Sequence, residues 1–196
     1  MVRKIVGILV VALIALIGGA YMFPQNVHIE RAIVIERPAA TVFPYVNSLK
    51  KANDWSPWAD YDPNVKMTYS GADEGVGAKM NWAGNDKVGT GSQEITQSIT
   101  NRKVASELKF GGQGPSKAAL TLTTTGSGTK VVWSLDIDLG NNPIARYVGT
   151  TLDAKVGADY DRGLAKLKTL VERAPAGDAA AQPASAPTTS PNAPTS

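Results

Sequence analysis

The chain has 196 residues, 20 Lys and Arg against 17 Asp and Glu, 43% hydrophobic residues, no Cys and a single His, His28. That inventory excludes disulfides, thiolate nucleophiles, Cys-ligated metal or iron–sulfur sites and any multi-His metal centre. A net charge of +3, with no basic run longer than a pair such as Lys50 and Lys51 or Arg102 and Lys103, leaves no footprint for nucleic acid.

In chain order, Ile5 to Phe23 is nineteen residues without a charge. As a helix it would span about 28 Å at ~1.5 Å per residue, nearly one bilayer core. Arg3, Lys4 and the terminal amine precede it, and Tyr21 and Phe23 fall where interfacial aromatics would anchor its far end. The expected arrangement is a transmembrane anchor in residues 1–26 with the amino terminus in the cytoplasm and the rest outside, periplasmic in a Gram-negative cell. Gly18, Gly19 and Ala20 also offer small residues for cleavage, so a removed signal peptide and a secreted product stand as the alternative.

From Val27 to Glu36, the residues Val27, Ile29, Ile33 and Ile35 share one face, interrupted by Arg31, which predicts a strand that Pro38 ends. Val42, Phe43, Val46 and Leu49 follow at helical spacing. Pro44 lacks an amide donor and clashes with the carbonyl four residues back, so a kinked or late-starting helix is expected. The stretch LKKANDWSPW adds a second short helix ended by Pro57.

Six alternating runs come next: Val65 to Ser70, Ala78 to Ala83, Ser92 to Thr100, Val104 to Phe110, Ala118 to Thr124 and Lys130 to Leu139. Glycine-rich connections join them, which implies an antiparallel meander with one wet face. Thr125 to Gly128 reads as a hairpin whose glycines take positive φ. Asn141, Asn142 and Pro143 form a helix start, after which Ile144, Val148, Leu152, Val156, Tyr160, Leu164, Leu167 and Val171 recur every three or four residues. One long amphipathic helix is expected, its stripe against the sheet, closing an α+β domain over residues 27–173. Residues 174–196 are dominated by Pro, Ala, Ser and Thr and predict a disordered tail.

The order of strand, two short helices, six-stranded meander and long last helix is similar to the helix-grip fold of the START-like, Bet v 1-like superfamily. The stretch RPAATVFPYVNSLKKANDWSPWADYDP (37–63), GVGAKMNWAG (75–84), GTKVVW (128–133) and RGLAKLKTLVE (162–172) resemble the polyketide cyclase/dehydrase and lipid-transport branch, the SRPBCC family. The resemblance implies a curved antiparallel sheet around the last helix, with a ligand cavity between them. It implies an apolar small molecule or lipid as partner, whereas activity differs among members of such folds, and no motif in the chain calls for a cofactor.

Candidate lining residues follow from that arrangement. Trp55, Trp58, Trp82 and Trp133 each combine a large apolar area with one donor. Trp55 and Trp58 suit a cavity mouth or a loop anchor, and Trp133 suits core packing or ligand contact. Phe43, Tyr69, Met80, Phe110 and Tyr160 join them, Met80 being adaptable enough for varied apolar ligands. Gly149 and Gly163 fall within the helix stripe, each at a cost of about 1 kcal/mol relative to Ala, and leave either ligand space or room for close approach of helix and sheet.

Asp136 and Asp138 share the strand face opposite the apolar one, so solvated carboxylates are expected there. His28 is expected near the membrane or at a strand edge. The clusters GADEGVGA, GTG and GGQGP match no phosphate-loop pattern and read as turns, and DWSPWADYDP lacks calcium-loop spacing. No catalytic set and no metal site is implied. The reading is a membrane-anchored module for a lipid or other apolar molecule; a cyclase or dehydratase-like enzyme, or an envelope protein-interaction module, is the alternative.

Overall fold

The computed structural model describes residues 2–111 and 114–174. Helix α1 (Val2–Ala20) is long and apolar enough to cross a membrane, and its side chains are exposed almost throughout. It starts three residues before the charge-free stretch and stops at Ala20, where Tyr21, Met22 and Phe23 turn back on the carbonyls of Gly18, Gly19 and Ala20.

Strand β1 (Asn26–Ile35) leads to α2 (Ala39–Val46), α3 (Leu49–Ala52) and a 3-10 turn over Pro57–Asp60. Helix α2 does not start late: it begins just after Pro38 and holds Pro44 in its sixth position. Pro57 opens the 3-10 turn, since a first helical position needs no amide. The meander is β2 (Lys66–Gly71), β3 (Ala78–Ala83), β4 (Thr90–Ile99), β5 (Lys103–Phe110), β6 (Ser116–Thr125) and β7 (Gly128–Asp138). With β1 on β7 it makes one antiparallel seven-stranded sheet, order β1-β7-β6-β5-β4-β3-β2. The β6–β7 hairpin turns through Gly126 at φ 57° and Ser127, where a Cβ at the first turn position would be strained. In the GTG cluster, Thr90 and Gly91 belong to β4 rather than to a turn.

Helix α4 (Pro143–Arg173) is capped by Asn142, whose side chain accepts from the amides of Ile144 and Ala145 at 2.9 and 3.3 Å. Its buried face is Arg146, Gly149, Gly157, Tyr160, Gly163, Leu164, Leu167 and Val171. Ile144 and Val148 lie outside that face, 73% and 51% exposed. A run of four-residue steps drifts by about 40° per step around a helix of 3.6 residues per turn, so Ile144 ends about 160° from Tyr160.

The helix packs chiefly on β1 and touches β7, α2 and the 3-10 turn. The core is Ile29, Ile35, Val131, Leu135, Tyr160, Leu164, Leu167 and Val171 with Val42, Phe43 and Trp55 from the short helices and the segment after them. The architecture is the α+β helix-grip fold. The segment expected to be disordered, residues 174–196, lies outside the described residues apart from Ala174.

Candidate functional site

Cross-strand register builds the apolar face of the sheet. One row runs Met67, Trp82, Gly91 and Phe110 across β2 to β5, and the next runs Tyr69, Met80, Gln93, Leu108 and Ser116 across β2 to β6. A third carries Val104, Leu120, Trp133 and Arg31 from β5 to β1. Gly91 is there for space, because a Cβ would overlap the Trp82 ring, which packs edge-on against Phe110 with centroids 5.8 Å apart.

Above this face lies a groove of two lobes, each of about 90 Å³. The first is walled by Val46, Leu49 and Trp55 of the short-helix segment and by Val104, Leu120 and Trp133 of the sheet, with Asn53, Ser56, Gln93 and Ser106 as its polar groups. The second is walled by Val65, Trp82, Val88, Leu108 and Phe110. Ser56, Trp58, Met67, Met80 and Gln93 face both. No ionisable side chain lines either lobe among the described residues. Asn53 Oδ1 is buried without a hydrogen-bond partner at the first lobe.

The expected position beneath the last helix is corrected. Trp133 and Tyr160 stack there, centroids 3.8 Å apart and 10° from parallel, with the edges of Trp55 and Trp58 against Trp133 at 5.2 and 5.8 Å. Trp55 is held by an Nε1–H donated to the Tyr45 carbonyl at 3.0 Å. Four rings fill the volume that the sheet and α4 would otherwise enclose, so neither lobe is lined by a residue of α4. The Tyr160 phenol is pushed well above its ordinary pKa by burial, which keeps it neutral.

Of the candidate residues, Trp55, Trp58, Met80, Trp82, Phe110 and Trp133 meet at the groove. Phe43 is core. Tyr69 sits outside both lobes, its hydroxyl donating to Met67 Sδ at 3.3 Å, and burial raises its pKa. Gly149 and Gly163 serve close approach: a Cβ at 149 would lie 2.5 Å from Leu139 Cδ1, and one at 163 would lie 2.9 Å from Trp133 Cζ3. Leu108 lines the second lobe on the face it shares by alternation with Phe110, whereas Met67, Gln93 and Leu120 are lining residues that the single-strand patterns did not single out. Their signal is register, which needs the pairing of strands.

Elsewhere, Arg31 takes the inner face of β1 over Gly157, between Asp153 at 3.0 Å and Asp161 at 3.4 Å on α4. Asp136 and Asp138 lie on the exposed face, as expected, and are partnered. Asp136 meets His28 Nδ1 at 2.6 Å, and Asp138 accepts from Gln25 and from the amide of Gly140, which lower its pKa. His28 lies on β1, an edge strand.

Tyr21 and Phe23 are engaged by α4 rather than free at an interface. The Tyr21 hydroxyl donates to the Asn141 carbonyl, Phe23 packs edge-on against Tyr147, and buried Arg146 donates to the Phe23 and Gly140 carbonyls. Tyr147 donates to the Leu16 carbonyl at 2.7 Å, carrying the connection into α1.

Among solved structures, protein CV1439 from Chromobacterium violaceum matches at 15% identity and TM-score 0.53, over 76% of this chain and 99% of that one. Ara h 8.0201 matches at 12% and 0.52, over 74% and 97%. The di-domain ARO/CYC StfQ from the steffimycin biosynthetic pathway matches at 12% and 0.57, over 76% and 51%. At these identities the likeness is one of fold. No curated protein matches the chain. The sequence pattern of the family described as polyketide cyclase/dehydrase and lipid transport matches residues 26–172, and with that span covering nearly the whole of the folded domain, the chain belongs to this SRPBCC family.

Proposed function

We propose that this protein is a membrane-anchored module that holds a lipid or another apolar small molecule in the two-lobed groove between strands β2–β6 and the Trp55–Trp58 segment. The observation that carries the reading is the lining: all four tryptophans of the chain, two methionines and the strand residues Val104, Leu108, Phe110 and Leu120 converge on a groove without an ionisable group among the described residues. Acid–base chemistry needs a titratable side chain within reach of the reacting atoms. This lining supports binding instead, and membership of a family whose description includes lipid transport beside polyketide cyclase and dehydrase is in keeping with it.

The lobes are small. An engineered cavity of about 150 Å³ holds benzene, and drug-sized pockets run roughly 300–1,000 Å³. A narrow chain running through both lobes fits this geometry better than a fused-ring ligand. Met67 and Met80, shared by the lobes, are the flexible partition that would yield to it.

Retention of α1 as an anchor is supported by the bonds that tie it to the domain. Ala20 is fully buried, and Tyr147 and Arg146 engage carbonyls on both sides of it. Exposed Ile144 and Val148 flank that junction.

The test is native mass spectrometry of the full chain released from membranes, with organic extraction of whatever it carries. A recurrent apolar molecule, lost in Leu108→Trp, which fills the second lobe, is the expected result. Empty protein in both forms, with no saturable uptake of added lipid, would overturn the binding role. An intact amino terminus in the same spectrum reports the anchor, and a chain beginning near residue 21 would show cleavage.

A further inference from the structure

The outer wall of the second lobe is also the wall of a charged cleft. Trp58 lines both lobes and, on its other side, a shallow cleft formed with Tyr61, Lys87, Lys155, Ala158, Asp159 and Arg162. Val88, in the second lobe, is the neighbour of Lys87 in the β3–β4 loop. An apolar space and a cationic space therefore share one indole.

The cleft is built from fixed parts. Asn85 accepts from the amides of Lys87 and Val88 at 2.9 and 3.3 Å and donates to the Tyr61 carbonyl at 3.0 Å, while the buried Asp62 carboxylate accepts from the Asn85 amide at 2.7 Å. The loop carrying Lys87 is thereby bound to the segment following the 3-10 turn. On the α4 side, the Tyr61 hydroxyl donates to Asp159 at 2.8 Å, and Arg162 contacts both Tyr61 and Asp159.

Charge decides what this cleft accepts. Asp159 is its one carboxylate and is matched by Arg162. Asp60 just beyond it is taken by Lys166 at 2.6 Å, and Asp62 by backbone amides. Lys87 and Lys155 make no ion pair or side-chain hydrogen bond among the described residues, so with Asp159 matched by Arg162 the cleft keeps two unpaired ammonium groups, Asp86 beside Lys87 being the nearest carboxylate in sequence.

We infer that the groove and this cleft form one site for a single-chain anionic amphiphile, its chain in the lobes and its carboxylate or phosphate head beside Lys87 and Lys155. The assignment rests on the groove being a binding site and adds the head-group chemistry. Lysine ammonium groups act on such a head as point charges on flexible stems, which suits a head that varies in shape but not in sign. Asp159 and the Tyr61 hydroxyl keep Arg162 folded against the wall, so the two lysines supply the attraction.

The chain's own tryptophans report the test, because all four line the lobes. The full chain, in phosphatidylcholine proteoliposomes, is titrated with decyl phosphate, decanoate, decanol and decyltrimethylammonium while tryptophan emission is followed, with empty liposomes correcting for partition. The expected result is at least about tenfold tighter apparent binding of the two anions than of decanol, with the cation weakest. That preference should shrink between 0.1 and 1 M salt as the screening length falls from about 10 to about 3 Å. In the Lys87→Ala, Lys155→Ala double variant the anion-to-alcohol ratio falls toward one, and Lys87→Arg, Lys155→Arg restores it.

Equal binding of decanol and the anions by the unaltered chain, or a ratio unmoved in the double variant, would overturn the head-group assignment while leaving the groove a binding site. Failure of all four probes to move the emission would count against the groove itself. Decyl phosphate bound well above decanoate would point to a phospholipid-type head, and the reverse order to a free fatty acid.

Discussion

Trp133 on β7 and Tyr160 on α4 lie face to face, ring centroids 3.8 Å apart, where the sheet meets the last helix. Both are almost wholly buried, and Trp55 and Trp58 close on them edge-on. Offset or stacked aromatic pairs contribute about 0.5–1.5 kcal/mol beyond their burial. The stack turns the interior beneath Tyr160 into packed core, and the two lobes lie beside it, lined by no residue of α4. Tyr160→Ala is therefore expected to cost stability on the scale of large aromatic truncations, about 3–5 kcal/mol. Chemical denaturation followed by near-ultraviolet circular dichroism measures it; a loss below about 1 kcal/mol would mean the stack is not holding helix to sheet.

The helix glycines separate into rigid and yielding neighbours. A Cβ at 163 would press on Trp133 Cζ3 at 2.9 Å and Pro57 Cδ at 3.1 Å, ring atoms of buried residues that have nowhere to go. With two rigid rings in the way the overpacking cost falls in the upper part of its range of about 1–3 kcal/mol and outweighs the roughly 1 kcal/mol that Ala gains over Gly in a helix, so Gly163→Ala lowers the melting temperature. At 157 the obstacle is the guanidinium of Arg31, the far end of a flexible side chain. Gly157→Ala should change stability by less than about 1 kcal/mol, since propensity offsets a partly exposed ion pair. Displacing Arg31 also frees Asp153, whose pKa is lowered chiefly by its hydrogen bond from Arg31. Carboxyl carbon chemical shifts should show it rise toward its ordinary value.

Met67 and Met80 divide the groove, so shortening both to Ala should merge its lobes. Both are only partly buried, which places the stability cost toward the low end of the roughly 2–5 kcal/mol range for Met→Ala. Binding of a bulkier apolar probe such as a branched or cyclic alcohol should strengthen several-fold, read from tryptophan emission. Unchanged selectivity for narrow chains would show that the partition lies elsewhere.

His28 is the only histidine, so its titration can be followed without assignment ambiguity. A hydrogen bond with Asp136, joined by Glu30, raises its pKa above 6.5. A raised folded-state value means that the protonated pair stabilises the fold fully below about pH 6.5, and that this contribution fades as pH rises through the folded value. The effect is small because the pair is more than half exposed. Imidazole resonances of the full chain should titrate above 6.5, and Asp136→Asn should move the midpoint down. A midpoint at or below 6.5 in the unaltered chain would contradict the pairing.

The order of strand, short helices, meander and capped last helix was legible because each signal is local: alternation over five or six residues, a proline or glycine at a turn, Asn142 before Pro143. So was an apolar first helix. Three things were not local. The buried face of α4 was read through Ile144 and Val148, which a straight helix carries out of line, while Arg146 and Gly157 hold the true face. The lining pairs Trp82 with Met67 and Met80 with Gln93 depend on the register between neighbouring strands, which the alternation within one strand does not set. Above all, which aromatic rings pack on each other and which stay open to a ligand depends on how close the helix comes to the sheet, and Gly149 and Gly163 fix that distance by what they lack. Periodicity determined the α+β element order, and the family resemblance added the helix-grip arrangement; only packing decided that Trp133 and Tyr160 stack beneath the helix and that Trp58 stands between the lobes and the cleft of Lys87 and Lys155, because each depends on contacts between elements distant in the chain.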